Sequence, residues 1–533
     1  MTPLPADPHA RLRRQVYLLL IVAAAGMMLG RILAVDAVDR IALEEYRIRA
    51  ELSKKEESWK GKFDADRLAA ALKAEEQRLR KVLQLRRPFL SANDRSRWCT
   101  VRALVEEDLR VPGAPYAIDK VIQEPNWDTI DMVKHNRRYH DPATPPPRRD
   151  GDRVLNWDGR QIGGHLYSSK PPFMATLMAA EYWVIYHLTG ATLETEPYAI
   201  GRFMLVTINV LPLIVAFLLL ARLVERLGTT DWGRIFVMAA AALGTFLTTF
   251  SVTANNHVPA AASAAVTLYA AVRIWCDDER RWRYFALAGL MAALTAALEL
   301  PATALLVFLA LALLWKAPRP TLLGYAPAAL LVAAAFFGTN WIAHRSLVPA
   351  YLHRAKDTAD DWYHYTYVRN GREIESYWDN PVGIDQGESA WPVYALHVTV
   401  GHHGIFSLTP IWLLSAVGTV MWLLSRRDRR LRELAALIAA VSLLCLAFYL
   451  QPQKGFEYRN YGGMTSGLRW VFWFAPLWLV AMLPAADAMA ARAWTRGLAL
   501  LLLAVSVLSA SYPTWNPWTH PWLMDFLSYL GWL

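Results

Sequence analysis

Apolar stretches dominate the second half of the chain and recur at intervals set by short polar turns. They lie at about 15–34, 200–222, 234–253, 257–275, 284–299, 301–316, 322–343, 404–425, 432–450, 469–486 and 496–512. Most approach the ~20 residues that a helix needs to cross the hydrocarbon of a bilayer. The pattern predicts an all-α polytopic membrane protein with about eleven transmembrane helices. A further apolar run, MATLMAAEYWVIYHL, follows HLYSSKPPF (165–173) at once, so that a lysine and two prolines stand at its mouth.

Polar stretches separate these runs. The first, 36–168, begins with ALEEYRIRAELSKKEESWKG and FDADRLAAALKAEEQRLRKVLQL, whose opposite charges recur four residues apart. That spacing predicts two solvated helices broken near Gly61. The remainder, 88–168, mixes Pro, Gly, Asp and Trp and reads as loop-rich but ordered. The chain thus divides into an N-terminal anchor span (1–35), a helical hairpin insertion (36–90) and a first outer loop with an acidic and a KPP motif (91–198). A transmembrane bundle (199–343), a second outer loop (344–403), a C-terminal bundle (404–512) and a Trp-rich interfacial segment (513–533) follow.

Charge then assigns sides. The chain carries a formal +10, but only 19% of its 533 residues are charged and 55% are hydrophobic. The basic residues cluster in short turns at 222–234, 273–283, 316–319, 426–432 and 492–496, and in HARLRRQ before the first run. This is the bias of cytoplasmic loops rather than a nucleic-acid surface. The N-terminus is therefore expected in the cytoplasm, behind an uncleaved anchor. The loops 36–198, 344–403 and 451–468 are expected outside a plasma (inner) membrane. A full crossing by 170–189 would flip every later basic turn, so this run is expected to be re-entrant or interfacial. Its prolines suit a helix start, where their missing N–H groups would have no partner anyway.

With sides assigned, the unusual polar residues fall on the outer face. Lys170, Arg459, Arg469 and His402 or His403 are candidates for an anion cradle, with the backbone of GGMTSG able to approach the same anion. Asp94, in SANDRSRW, is the candidate general base toward an acceptor hydroxyl. The leaving group would be a lipid-borne phosphate, stabilised by the cations as its charge develops. Asn255, Asn256, His257, Tyr167 and Asp385 are candidate substrate-binding residues. Bland readings stand beside each: a boundary lysine often snorkels, and TANNHV could simply satisfy backbone at a turn. No H-x-x-x-H or H-x-H spacing occurs, so no metal ligand set is named and a divalent metal stays open. The three cysteines are far apart, with no C-x-x-C pair.

These parts, in this order, resemble the GT-C class of multi-spanning glycosyltransferases, the group of protein O-mannosyltransferases and lipid A aminoarabinose transferases. YSSKPPFMATLMAAEYW is similar to the class's Y-x-x-KPP before an apolar run. SANDRSRWCTVRALVEED is similar to its acidic motif, with Arg95 where a second acid is usual. NYGGMTSGLRWVFWFAPLWL is similar to its Gly-Gly-x-x-x-Gly-x-Arg stretch. TANNHV holds amides and a histidine where the class often has another acid. The resemblance implies a polyprenyl-phosphate sugar as donor, inverting transfer on the outer face, Asp94 as base and Lys170 on the donor phosphate. An acceptor protein, lipid or glycan would complete the reaction. Two other readings remain: a transporter or flippase of lipid-linked glycans, and a non-catalytic membrane protein whose outer loops bind a glycan or a partner. A transporter should carry ionisable groups near the midplane and repeated halves. Within the runs only Arg31, Arg202 and Glu299 are ionisable, all near ends, and no repeat is evident.

Overall fold

The computed structural model describes residues 9–35, 40–83, 88–135, 148–150, 153–155, 164–354, 361–452 and 458–533. Parts of the hairpin insertion (36–39, 84–87), of the first outer loop (136–147, 151–152, 156–163) and of the stretch before the Gly-rich motif (453–457) lie outside the described residues.

The chain opens with α1 (Ala10–Ala34), an apolar helix, followed by α2 (Arg40–Trp59) and α3 (Ala65–Val82). Gly61, at φ 83°, turns the chain between them. Asp64 caps α3 by accepting from the Arg67 N–H at 2.8 Å, and Arg80 joins the two helices through Glu45 at 2.5 Å. Next comes α4 (Ala92–Val105), then the strands β1 (Met132–His135), β2 (Arg148–Asp150), β3 (Arg153–Leu155) and β4 (His165–Ser168). β1 pairs with β4 and β2 with β3, both antiparallel.

The apolar run after the prolines is α5 (Pro172–Thr189), started by a proline in its first turn and ended at Gly190 in the left-handed region. It lies along α4. The Tyr182 hydroxyl donates to Glu106 at 2.7 Å, and Tyr116, in the loop after α4, meets Thr176 at 2.9 Å.

Helices then follow almost without interruption: α6 (Pro197–Leu227), α7 (Asp231–Leu243), α8 (His257–Trp275), α9 (Trp282–Leu298), α10 (Leu300–Lys316) and α11 (Pro318–His344). The polar stretch 344–403 holds the hairpin β5 (Thr366–Arg369) and β6 (Arg372–Glu375). After it come α12 (Trp391–Thr399), α13 (Ile411–Leu424), α14 (Arg429–Tyr449), α15 (Arg469–Ala481), α16 (Leu483–Met489), α17 (Ala493–Ser511) and α18 (Trp522–Tyr529).

Six of these, α1, α6, α8, α11, α14 and α17, are long and apolar enough to cross a membrane, and α15–α16, bent by 47°, make a seventh if counted as one span. The protein is an integral membrane protein. Helix length thus accounts for six or seven crossings, against the eleven that the apolar runs predict. The difference lies in α7, α9, α10 and α13, apolar helices of 13–17 residues. The apolar run that holds α7 ends in a 3₁₀ turn at Thr249–Val252, beyond the helix itself, and α10 begins with one at Leu300–Ala302, which shortens the α-helical part of each run. α5 is not among the six.

The basic turns expected to share one side do gather at one end of the bundle. Arg13, 3% exposed, reaches Glu225 at 2.8 Å and Asp231 at 2.6 Å, and Tyr17 donates to the same Glu225 at 2.6 Å. Arg226 pairs with Asp277 at 2.7 Å, Lys316 with Asp278 at 3.1 Å, and Arg430 joins Asp278 as well. Asp487 accepts from the Thr229 and Thr230 N–H groups at 2.8 and 2.9 Å. These contacts tie the N-terminus of α1 to the turns after α6, α8 and α10 and to the start of α14. Arg13→Leu should leave Glu225 and Asp231 without their shared cation and lower stability by roughly 2–3 kcal/mol. Thermal unfolding in detergent, against Arg14→Leu at an exposed position, measures it.

Candidate functional site

The register of β1 against β4 builds one corner of the site. Met132 pairs with Ser168, so the residues just beyond, Asp131 and Ser169, also face one another, and the Ser169 N–H donates to the Asp131 carbonyl at 3.1 Å. Lys170 follows, and the stiff Pro171-Pro172 step turns the chain into α5. The Lys170 ammonium lies 2.8 Å from Asp131 Oδ2 and 3.0 Å from Oδ1, and the Ser169 hydroxyl donates to the same carboxylate. Burial would raise the Asp131 carboxyl, but Lys170, Ser169 and Arg97 together hold it below the usual carboxylate range. Burial lowers the Lys170 ammonium, Asp131 opposes that shift, and Arg97 and Arg469 add to it by repulsion.

α4 and the turn before α8 supply a second cation. Arg97 is buried, donates from Nη2 to Asn256 Oδ1 at 2.6 Å and from Nη1 to the Asn93 carbonyl at 3.0 Å. Burial brings its guanidinium down to about 10. The third, Arg469, opens α15. Its Nε and Nη2 donate to the Gly462 carbonyl at 3.0 and 2.7 Å, and its Nη1 to His257 Nε2 at 3.1 Å. Gly462 sits at φ 88°, a conformation open to glycine, in the turn that presents this carbonyl. Among the described residues neither Arg97 nor Arg469 makes a salt bridge. Two guanidinium groups without a carboxylate therefore flank an ammonium that has one, and Lys170 and Arg469 are partly exposed.

Residues 171–452, more than half of the chain, match glycosyltransferase family 87. The chain belongs to that family. It is a GT-C-type membrane glycosyltransferase, as the resemblance implied. No curated protein matches it significantly. Among solved structures it is similar to the apo oligosaccharyltransferase of Archaeoglobus fulgidus, at 14% identity and a TM-score of 0.32. The likeness covers 83% of this chain and 57% of that one, and is too loose to assign any residue. In this family 87 glycosyltransferase the matched region starts one residue after Lys170. It includes Asn256, His257 and Glu299 and excludes Asp94, Asp131, Arg97 and Arg469.

The other residues singled out in the sequence take varied places. Asp94 stands at the third position of α4, whose N-cap Ser91 accepts from the Asp94 N–H at 3.0 Å. Its own carboxylate accepts from the Leu90 N–H at 3.0 Å, from Trp98 Nε1 at 2.8 Å and from the Ala254 N–H at 3.0 Å. Asp94 thus closes a reciprocal cap and ties α4 to the turn before α8. Burial nevertheless pushes its carboxyl up to about 6. The carboxylate that meets Lys170 is Asp131, not Asp94. Asn255 serves the same turn, donating to the Phe250 and Thr253 carbonyls and accepting from the Val258 N–H.

Arg459 donates to the carbonyls of Glu388, Ser389 and Pro452, which joins the stretch 344–403 to the Gly-rich stretch. His402 and His403 are buried side by side, His402 stacked on His397 at 3.8 Å and His403 on Tyr461 at 4.9 Å. They stand behind the Gly-rich turn. None of these three contacts Lys170. Tyr167 is buried and stacked on His135 at 4.7 Å. Asp385 accepts from the Tyr377 hydroxyl at 3.1 Å and Asn460 Nδ2 at 3.2 Å. Among the described residues no group of three or more His, Cys, Asp or Glu side chains could hold a metal ion.

Asp131, Arg97 and Glu299 were not among the candidates. Asp131 is a lone acid in TIDMVKH, and only strand register gives it meaning. Arg97 sits in the acidic motif itself, one turn after Asn93. Replacing Asp94 by alanine should lower stability by about 2 kcal/mol, because the Leu90, Trp98 and Ala254 N–H groups would lose their acceptor. The melting temperature of the detergent-solubilised protein, read without substrate, checks this.

Proposed function

We propose that the protein transfers a sugar from a polyprenyl-phosphate donor to an acceptor hydroxyl on the extracytoplasmic face of the membrane. One observation carries the reading: buried Arg97 and partly exposed Arg469, neither paired with a carboxylate, flank Lys170 at the start of a proline-capped helix. Buried charge of one sign is costly unless something neutralises it, and a phosphate would do so for all three groups. Membership in a glycosyltransferase family supplies the sugar. The basic turns gathered at the opposite end support an outward-facing site.

In the proposed reaction the donor phosphate binds Lys170, Arg97 and Arg469. It competes with Asp131 for the ammonium and frees that carboxylate to accept a proton. The acceptor oxygen attacks the anomeric carbon as its proton passes to Asp131. The bond from that carbon to the phosphate oxygen breaks, and the electron pair stays on the polyprenyl phosphate. The cations stabilise the charge that develops there. Asp131 takes the role that the motif alone suggests for Asp94, because it is the acid in contact with Lys170. The re-entrant placement of α5 fits its packing along α4.

Sugar transfer from a polyprenyl-phosphate donor should fall at least about 100-fold in Asp131→Asn and in Lys170→Ala, with folding retained. The acid limb of kcat/KM separates the two carboxylates. A base held below the usual carboxylate range stays ionised, so activity should remain flat as pH falls through 6. A limb near pH 6, with Asp131→Asn active, would return the role to Asp94. Cysteines placed at exposed Thr195 and Arg427 should react with an impermeant maleimide from outside and from inside respectively. Labelling of the second from outside would invert the assignment of faces.

A further inference from the structure

Glu299 has no part in the reaction just described, yet it is buried where the two unpaired guanidinium groups meet. It ends α9, its N–H donates to the Thr295 carbonyl, and its carbonyl accepts from the Ala302 N–H, both at 2.8 Å. The backbone at this turn is therefore held on both sides. Its Oε1 accepts from Asn256 Nδ2 at 2.7 Å and lies in short contact with His257 Nδ1.

The direction of each hydrogen bond follows from the chemistry. A guanidinium only donates, so His257 Nε2, which meets Arg469 Nη1 at 3.1 Å, must carry a lone pair. The imidazole proton is then on Nδ1 and is donated to Glu299. On the other side Asn256 donates to Glu299 through Nδ2, which leaves its Oδ1 to accept from Arg97 Nη2 at 2.6 Å. Two relays run outward from one carboxylate: Glu299–His257–Arg469 and Glu299–Asn256–Arg97. Asn256 and His257 are consecutive, so a single turn before α8 serves both arms.

We infer that Glu299 is a positioning residue that orients Arg469 through His257 and Arg97 through Asn256, so that both guanidinium groups converge on the phosphate of the donor. The inference rests on the anion site proposed above and adds to it a residue that touches no substrate. Each relay is neutral in its middle, so neither arginine is neutralised by direct pairing and both remain free to bind an anion. Both bonds at Glu299 end on one acceptor oxygen, which a glutamine side chain can also supply. The geometry asks only for an acceptor oxygen, and an uncharged one would satisfy it.

The test measures binding of farnesyl monophosphate to the full-length protein in detergent by titration calorimetry. Glu299→Leu should weaken binding at least about ten-fold, whereas Glu299→Gln, which keeps the acceptor oxygen, should stay within about three-fold of the parent. His257→Leu should weaken it less, and the double variant His257→Leu/Glu299→Leu no further than Glu299→Leu alone. A folded Glu299→Leu protein that binds like the parent, a Gln variant as weak as the Leu variant, or additive losses in the double variant would each overturn the inference. Should Glu299→Leu not fold, unchanged affinity in His257→Leu and Asn256→Leu would overturn it equally. Lys170→Ala is the control. If it too binds normally, the anion site itself is refuted; if it alone is weak, only the role of Glu299 is.

Discussion

A buried positive charge is stable only where the surrounding chain fixes its donors and something nearby offers negative charge. The end of this bundle that holds Lys170 concentrates that problem. Lys170 is answered by Asp131, while among the described residues Arg97 and Arg469 are held without a carboxylate, by amide, carbonyl and imidazole groups and, for Arg469, the Trp518 ring. Several features nearby serve that arrangement: the β1–β4 register that sets Asp131 opposite Ser169, the proline elbow after Lys170, and the glycine turn that offers Gly462's carbonyl to Arg469. Long cations lose much rotamer freedom when ordered, and these fixed acceptors keep them aimed.

The two ends of the molecule handle charge differently. At the end that carries the basic turns, arginines and lysines meet carboxylates directly, as in Arg13 with Glu225 and Arg226 with Asp277. Those pairs clamp helix ends together. At the other end Asp131 meets Lys170 directly, but Asp94 caps a helix and Glu299 accepts from neutral groups that stand between it and the arginines. The contrast fits a scaffold at one face and a binding surface at the other. α4 links the two tasks, since its first turn carries the cap and its second carries Arg97, while its last turn braces α5 through Glu106 and Tyr182.

Much of the architecture was legible in apolar run length, because backbone groups in a bilayer must be satisfied within each segment. The helical hairpin was legible in charge spacing, and the start of α5 in its prolines. Counting crossings was less direct. Runs at 234–253 and 301–316 look long enough in sequence, yet part of each is 3₁₀ turn rather than α-helix. Motif position led to Lys170 and Arg469. It also led to Asp94, whose residue type suits a base, and to Arg459, His402 and His403, which suit an anion site, yet the bonds of these four go to backbone, neighbouring rings or helix caps.

Composition and spacing by themselves determined that this chain is a helical membrane protein, which turns share a side, and that a lysine stands at the head of a proline-started helix. Those properties depend on neighbours within a turn or two, or on bulk transfer into lipid, and both are written locally. Only the tertiary structure decided that Asp131 faces Lys170 and that Glu299 reaches two arginines through Asn256 and His257. Such partners lie 39 to more than 200 residues apart, and their meeting depends on strand register and helix packing, which no local pattern encodes.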